Sequence, residues 1–140
     1  MNNEQLLERY PFLKPRNVCA DELIEDADWT LLDYMPSGWR KAFGEQMCEE
    51  IRAELIKYNY LDKYRIVQIK EKYGSLCWYT NGEPQSVYEI VSRYEKLSAQ
   101  TCIVCGKPAT LMSKHWIMPF CDCIKSKEHF NEKNYTPINK

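Results

Sequence analysis

From Trp39 to Tyr58, apolar residues return every three to four positions. Trp39, Phe43, Met47, Ile51, Leu55 and Tyr58 form one set, while Arg40, Lys41, Glu45, Glu49, Arg52 and Glu54 fall between them. That period predicts an amphipathic helix of roughly five to six turns. Ser37-Gly38 is read as its cap, and Cys48 adjoins its stripe. The period then shortens. Tyr64–Lys70 is rich in β-branched residues, Tyr73-Gly74-Ser75 supplies a turn, and Leu76–Thr80 runs back, which predicts a β-hairpin. Asn81-Gly82-Glu83-Pro84 breaks the strand, and Val87, Ile90, Val91, Tyr94 and Leu97 mark the stripe of a second helix. Beyond it, Ala109–Met112 and Trp116–Phe120 read as a second hairpin, followed by a polar stretch from residue 124 that reads as a short helix and a loose tail.

The front of the chain is less periodic. Residues 3–10 read as a short helix stopped by Pro11, and Pro11 and Pro15 predict an extended Tyr10–Asn17. The acidic run Asp21–Asp28 reads as one or two helical turns on a solvated face, and Trp29–Pro36 as irregular structure laid over a core. The expected organisation is a core over residues 1–99, a metal-binding module over 100–125 and a polar tail over 126–140, all in one compact unit.

The candidate chemistry lies at the end. Cys102 and Cys105 stand in a C-x2-C-G turn, and fifteen residues separate Cys105 from the second pair, Cys121 and Cys123. Four thiolates arriving as two close pairs can surround one tetrahedral Zn²⁺. The glycine at 106 suits a backbone that bends round an ion. Such a site has no open coordination position, so the zinc is structural. A redox-active C-x2-C should follow a buried strand and open a helix, whereas Cys102 follows a predicted helix and precedes Gly106-Lys107-Pro108. His115 and His129 are candidate substitutes for Cys123 as fourth ligand and stand outside the primary set of four cysteines. Cys19, Cys48 and Cys77 remain as small buried hydrophobes.

Charge changes the picture in one respect. Residues 1–60 carry seven Lys or Arg against twelve Asp or Glu, while residues 100–140 carry six against three. The metal end is mildly basic and far from the charge of a dedicated DNA-binding domain. Lys70, Lys72 and Tyr73 at the first hairpin tip, with Arg40 and Lys41 at a helix start, form the candidate partner surface. Basic residues among aromatics suit single-stranded nucleic acid. Lysine also guards an exposed strand edge. No run of apolar residues is long enough to span a membrane. An odd number of cysteines, seven, behind a start without export-signal features points to a reducing cytoplasm.

Three blocks resemble a family of small zinc-binding proteins encoded by phages and prophages: Ser37–Gly44, Val67–Tyr79 and Thr101–Cys123. Members of that family end the cysteine motif with C-x2-C or C-x2-H, whereas this chain has the shorter Cys121-Asp122-Cys123. The resemblance implies phage origin and a zinc site on Cys102, Cys105, Cys121 and Cys123, and it implies no activity. The resulting expectation is an α+β protein. Two long helices surround a small antiparallel sheet, and a zinc-ribbon or treble-clef-like hairpin closes the chain. Its expected role is a non-enzymatic adaptor or inhibitor that binds a host or phage protein. Nucleic-acid binding comes second. A metal-supported nuclease comes third, since the cysteine block holds no Asp/Glu/His cluster for a second, open metal site.

Overall fold

The computed structural model describes residues 1–17 and 22–138. Helix α1 (Asn3–Arg9) is opened by Asn2, whose side-chain oxygen accepts from Gln5 N while the Gln5 side chain accepts from Asn2 N. Pro11 stops it but does not extend the chain. Pro11–Leu13 is a 3₁₀ turn that drives Phe12 and Leu13 into the core. Proline's fixed φ suits the first position of such a turn, and burying two large side chains outweighs the extended preference. The acidic run is not helical in its described part. Glu22–Leu23 (β2) pairs antiparallel with Arg16–Asn17 (β1), and Asp21 and Cys19 lie outside the described residues. A second 3₁₀ turn, Leu31–Tyr34, is capped by Thr30 and Asp33 and buries Leu31 and Leu32.

Helix α2 (Ser37–Trp39) runs through a π turn, Arg40–Gly44, into α3 (Glu45–Lys57). Trp39, Phe43, Met47, Ile51 and Leu55 are all buried. They recur every four residues, so in an unbroken α-helix their stripe would drift by about 40° per step. One loosely wound i→i+5 turn takes back part of that drift. Tyr58, expected in the stripe, is exposed, because α3 ends at Lys57 and Tyr58 is its C-cap with φ -99° and ψ 9°, outside the helical periodicity. Ser37 and Gly38 are not a cap but lie inside the helix, whose first turn follows Pro36.

Strands β3 (Ile66–Lys72) and β4 (Ser75–Thr80) pair antiparallel, joined by Tyr73-Gly74. Ile66, Ile69, Leu76 and Trp78 face the core. Helix α4 (Gln85–Ser98) covers the free edge of β4, where Leu76 N donates to Ser98 Oγ at 2.7 Å and Trp78 N donates to the Glu95 carboxylate at 3.2 Å. An edge satisfied this way cannot recruit another strand. Val87, Val91 and Tyr94 are buried as expected, but Leu97 is exposed because Ser98 takes the inward position for that bond.

The C-terminal unit has its own sheet. Central β5 (Leu111–Ser113) pairs with β6 (Pro119–Phe120) on one side and β7 (Tyr135–Pro137) on the other, both antiparallel. The expected loose tail is therefore a strand, and it is held by Tyr135, whose ring stacks on Phe130 and meets the edge of Phe120. The expected helix before it is reduced to 3₁₀ turns at Asp122–Ser126 and Glu132–Asn134. Together these elements make a mixed fold of helices and small antiparallel sheets. Among the described residues, no helix is long and apolar enough to cross a membrane.

Helix α1 docks on α3 through one polar cluster. The Arg9 guanidinium donates to Glu49 through two nitrogens, Tyr10 Oη donates to Glu49 at 2.7 Å, and Arg52 Nε donates to Arg9 O at 3.0 Å. The Arg9 and Tyr10 hydrogen bonds hold the Glu49 carboxyl down at about 2. A folded-state value below the unfolded one contributes stability above the ordinary carboxylate range and loses it as pH falls through the folded value. We expect Glu49 to be among the last carboxylates to protonate in an NMR titration, and Arg9→Ala to return it toward the ordinary range. High salt should shrink the difference, because the pair is half-exposed.

Candidate metal centre and the hairpin tips

The two cysteine pairs are positioned by different local devices. In the first, Cys102 N donates to Lys107 O at 2.7 Å and Gly106 N donates to Cys102 O at 3.1 Å, folding the chain back on itself. Gly106 has φ +86°, where a side chain would be strained. In the second, Cys121 leaves β6 and caps the 3₁₀ turn that follows, its Sγ accepting from Cys123 N at 3.3 Å. That bond lets the short C-x-C spacing close. The pairs are tied together by Ile103 N, which donates to Pro119 O at 3.0 Å.

All four sulfurs lie within 4.8 Å of one another. Cys102 Sγ is 3.7 Å from Cys123 Sγ, and Cys105 Sγ is 3.2 Å from Cys121 Sγ. A tetrahedron of thiolates at about 2.3 Å from a central ion has edges of about 3.8 Å. The donor set therefore fits a metal ion. Cys102 and Cys121 are buried, and Cys105 and Cys123 are half-buried at the outer side. The Cys102–Cys105 segment is a turn and does not open a helix. His115 and His129 are both exposed, and neither belongs to the cluster.

The electrostatics of Cys102 and of the second pair are opposed. At Cys102 burial disfavours ionisation, but the amide N–H groups of Cys105, Cys121 and Val104 outweigh it and bring the thiol down to about 7. At Cys123 burial and then the neighbouring sulfurs raise it, and burial also raises Cys121. Ionising all four thiols would place like charges at this spacing, a repulsion that a divalent cation among them would offset.

The start of α2 is clamped on this centre. Gly38 N donates to Ile103 O at 2.9 Å, and the buried Trp39 indole donates to Thr101 O at 2.9 Å. A Cβ on Gly38 would lie 2.2 Å from Cys102 O, so only glycine permits the approach. Hydrophobic period alone marks Trp39 as core; its bond to the residue before Cys102 is a long-range contact that no local pattern encodes.

The candidate partner residues divide. Arg40 is engaged with Asp33. Lys41 is exposed on the helix, and neither lines the groove that the other three share. Lys70, Lys72 and Tyr73 lie at the first hairpin tip, against a neighbour that the sequence did not bring forward, the turn carrying His115, Trp116 and Ile117. Gly74 packs on Ile117, where a Cβ would come within 3.1 Å of the Ile117 carbonyl. The two tips enclose a groove of about 430 Å³. Ser113 shapes the second turn, its hydroxyl donating to Trp116 O and accepting from Met118 N. Ring exposure was the missing signal, since an aromatic in a turn reads as core or surface only once the chain is folded. No protein-family model, curated protein or solved structure matches this chain.

Proposed function

We propose that the protein is a non-enzymatic binding module whose C-terminal unit is organised by one structural zinc ion. The observation that carries this reading is the tetrahedral spacing of Cys102, Cys105, Cys121 and Cys123. An all-thiolate set is soft and favours Zn²⁺ over Mg²⁺ or Ca²⁺. Four protein ligands leave no position for substrate or activated water, so the ion shapes the fold. The turn at Cys102–Cys105 and the strand-to-3₁₀ junction at Cys121–Cys123 suit a zinc-ribbon or treble-clef-like hairpin. Phage or prophage origin rests on the three sequence blocks alone. The acidic N-terminal half would suit a basic protein partner, in keeping with an adaptor. The exposed aromatics and bases that gather in one place favour nucleic acid instead.

Elemental analysis of the purified chain should find one zinc per molecule. Cys123→Ser should weaken zinc retention nearly as much as Cys121→Ser, because both thiolates complete one tetrahedron. His115→Ala and His129→Ala should leave retention unchanged. Loss of zinc in either histidine variant, or full retention in Cys123→Ser, would contradict the assignment.

A further inference from the structure

Tyr73 and Gly74 connect β3 to β4 with φ of +52° and +84°, the two left-handed residues of a tight I′-type hairpin turn. Asn or Gly fills the first of these positions without strain, whereas a bulky side chain there is an outlier. Burial does not compensate it, for Tyr73 is 78% exposed. Across the groove Trp116 is 71% exposed. Strain spent on displaying a ring points to a contact that the ring makes outside its own chain.

Two lysines on the same groove are available. Lys72 Nζ stands 6.0 Å from the Tyr73 ring centre and Lys70 Nζ 5.7 Å from that of Tyr79. Among the described residues, neither lysine is ion-paired. Glu71, the carboxylate on the groove, accepts from Gly74 N at 2.8 Å and is committed to the turn. Protein interfaces concentrate aromatics in an apolar centre and are depleted in lysine. Here lysines line the same groove as the two exposed rings, the composition of a stacking platform with phosphate partners. We propose, building on the binding-module reading, that the groove between the two hairpin tips binds single-stranded nucleic acid. Tyr73 and Trp116 would stack on bases, and Lys70 and Lys72 would meet the phosphates.

The test uses the full-length, zinc-loaded chain with fluorescein-labelled dT12 and rU12, followed by anisotropy across a salt series. Both probes are expected to bind, and the tighter one identifies DNA or RNA as the source. Tyr73→Asn should lose roughly tenfold in affinity while its melting temperature holds or rises, since asparagine relieves the turn. Trp116→Ala should lose a similar factor with no change in melting. Lys70→Gln and Lys72→Gln should each flatten the log–log salt slope by about 0.7. No binding of either probe at 50 mM salt would overturn the proposal. So would wild-type affinity in both aromatic variants, equal binding of a duplex of the same charge, or equal binding of a polyglutamate peptide, which would point to an acidic protein. Zinc content is measured on the same samples. A zinc-loaded chain that ignores both probes defeats only this proposal, and a folded metal-free chain defeats only the zinc reading.

Discussion

Chelating the metal is expected to unfold residues 100–125 ahead of the rest of the chain, and Cys102→Ser to do the same without chelator. The C-terminal unit buries little of its own: Ala109, Leu111, Pro119 and Ile124 beside Cys102 and Cys121, none of them part of the large cluster formed by residues 6–94. Such a unit cannot offset the entropy of ordering its backbone by apolar burial alone. Structural zinc supplies about 10–16 kcal/mol in finger peptides, and that binding energy is folding energy. Hydrogen exchange reads the outcome directly. The amides of Cys102, Ile103 and Thr110, which now donate to Lys107, Pro119 and Phe120, should lose protection on chelation, while those of β3 and β4 keep most of theirs. Uniform loss across both units, or none, would refute the separation.

Trp39→Ala carries the second large effect. The ring is fully buried at the head of the apolar stripe, and truncating a buried aromatic costs about 3–5 kcal/mol. Its indole also donates to Thr101 O, so the damage should reach the metal centre. Trp39→Phe separates the two contributions: it keeps most of the apolar volume and loses the bond, for about 1–3 kcal/mol. Gly38→Ala attacks the same clamp from the backbone, because its Cβ cannot share space with the Cys102 carbonyl. We expect lower urea midpoints for all three and faster zinc release for Gly38→Ala. A Trp39→Ala chain that melts like wild type would show that the helix does not depend on this anchor.

What could be read without the structure follows the range of the interactions involved. The helix 45–57, the hairpin 66–80 and the helix 85–98 are legible because each carries a local hydrophobic period. The four cysteines are legible because ligand spacing is also local. Tyr58 and Leu97 escape because a regular period extends one step too far, past the point where the helix ends or a polar bond to β4 decides. Tyr135–Pro137 escapes because its partner strand lies more than twenty residues away and its sequence is polar. Phe12 and Leu13 escape because proline signals outweigh two hydrophobes when tertiary burial is unknown. Trp116 escapes for a related reason, since its place beside Tyr73 depends on the packing of Gly74 against Ile117.

The central claim is that four thiolates of this chain hold one zinc ion, and zinc K-edge X-ray absorption on the purified protein tests it most directly. The account predicts a first shell of four sulfurs at about 2.3 Å. A nitrogen at about 2.0–2.1 Å in place of one sulfur would remove Cys123 from the site in favour of a histidine, and a folded chain without zinc would contradict the claim outright.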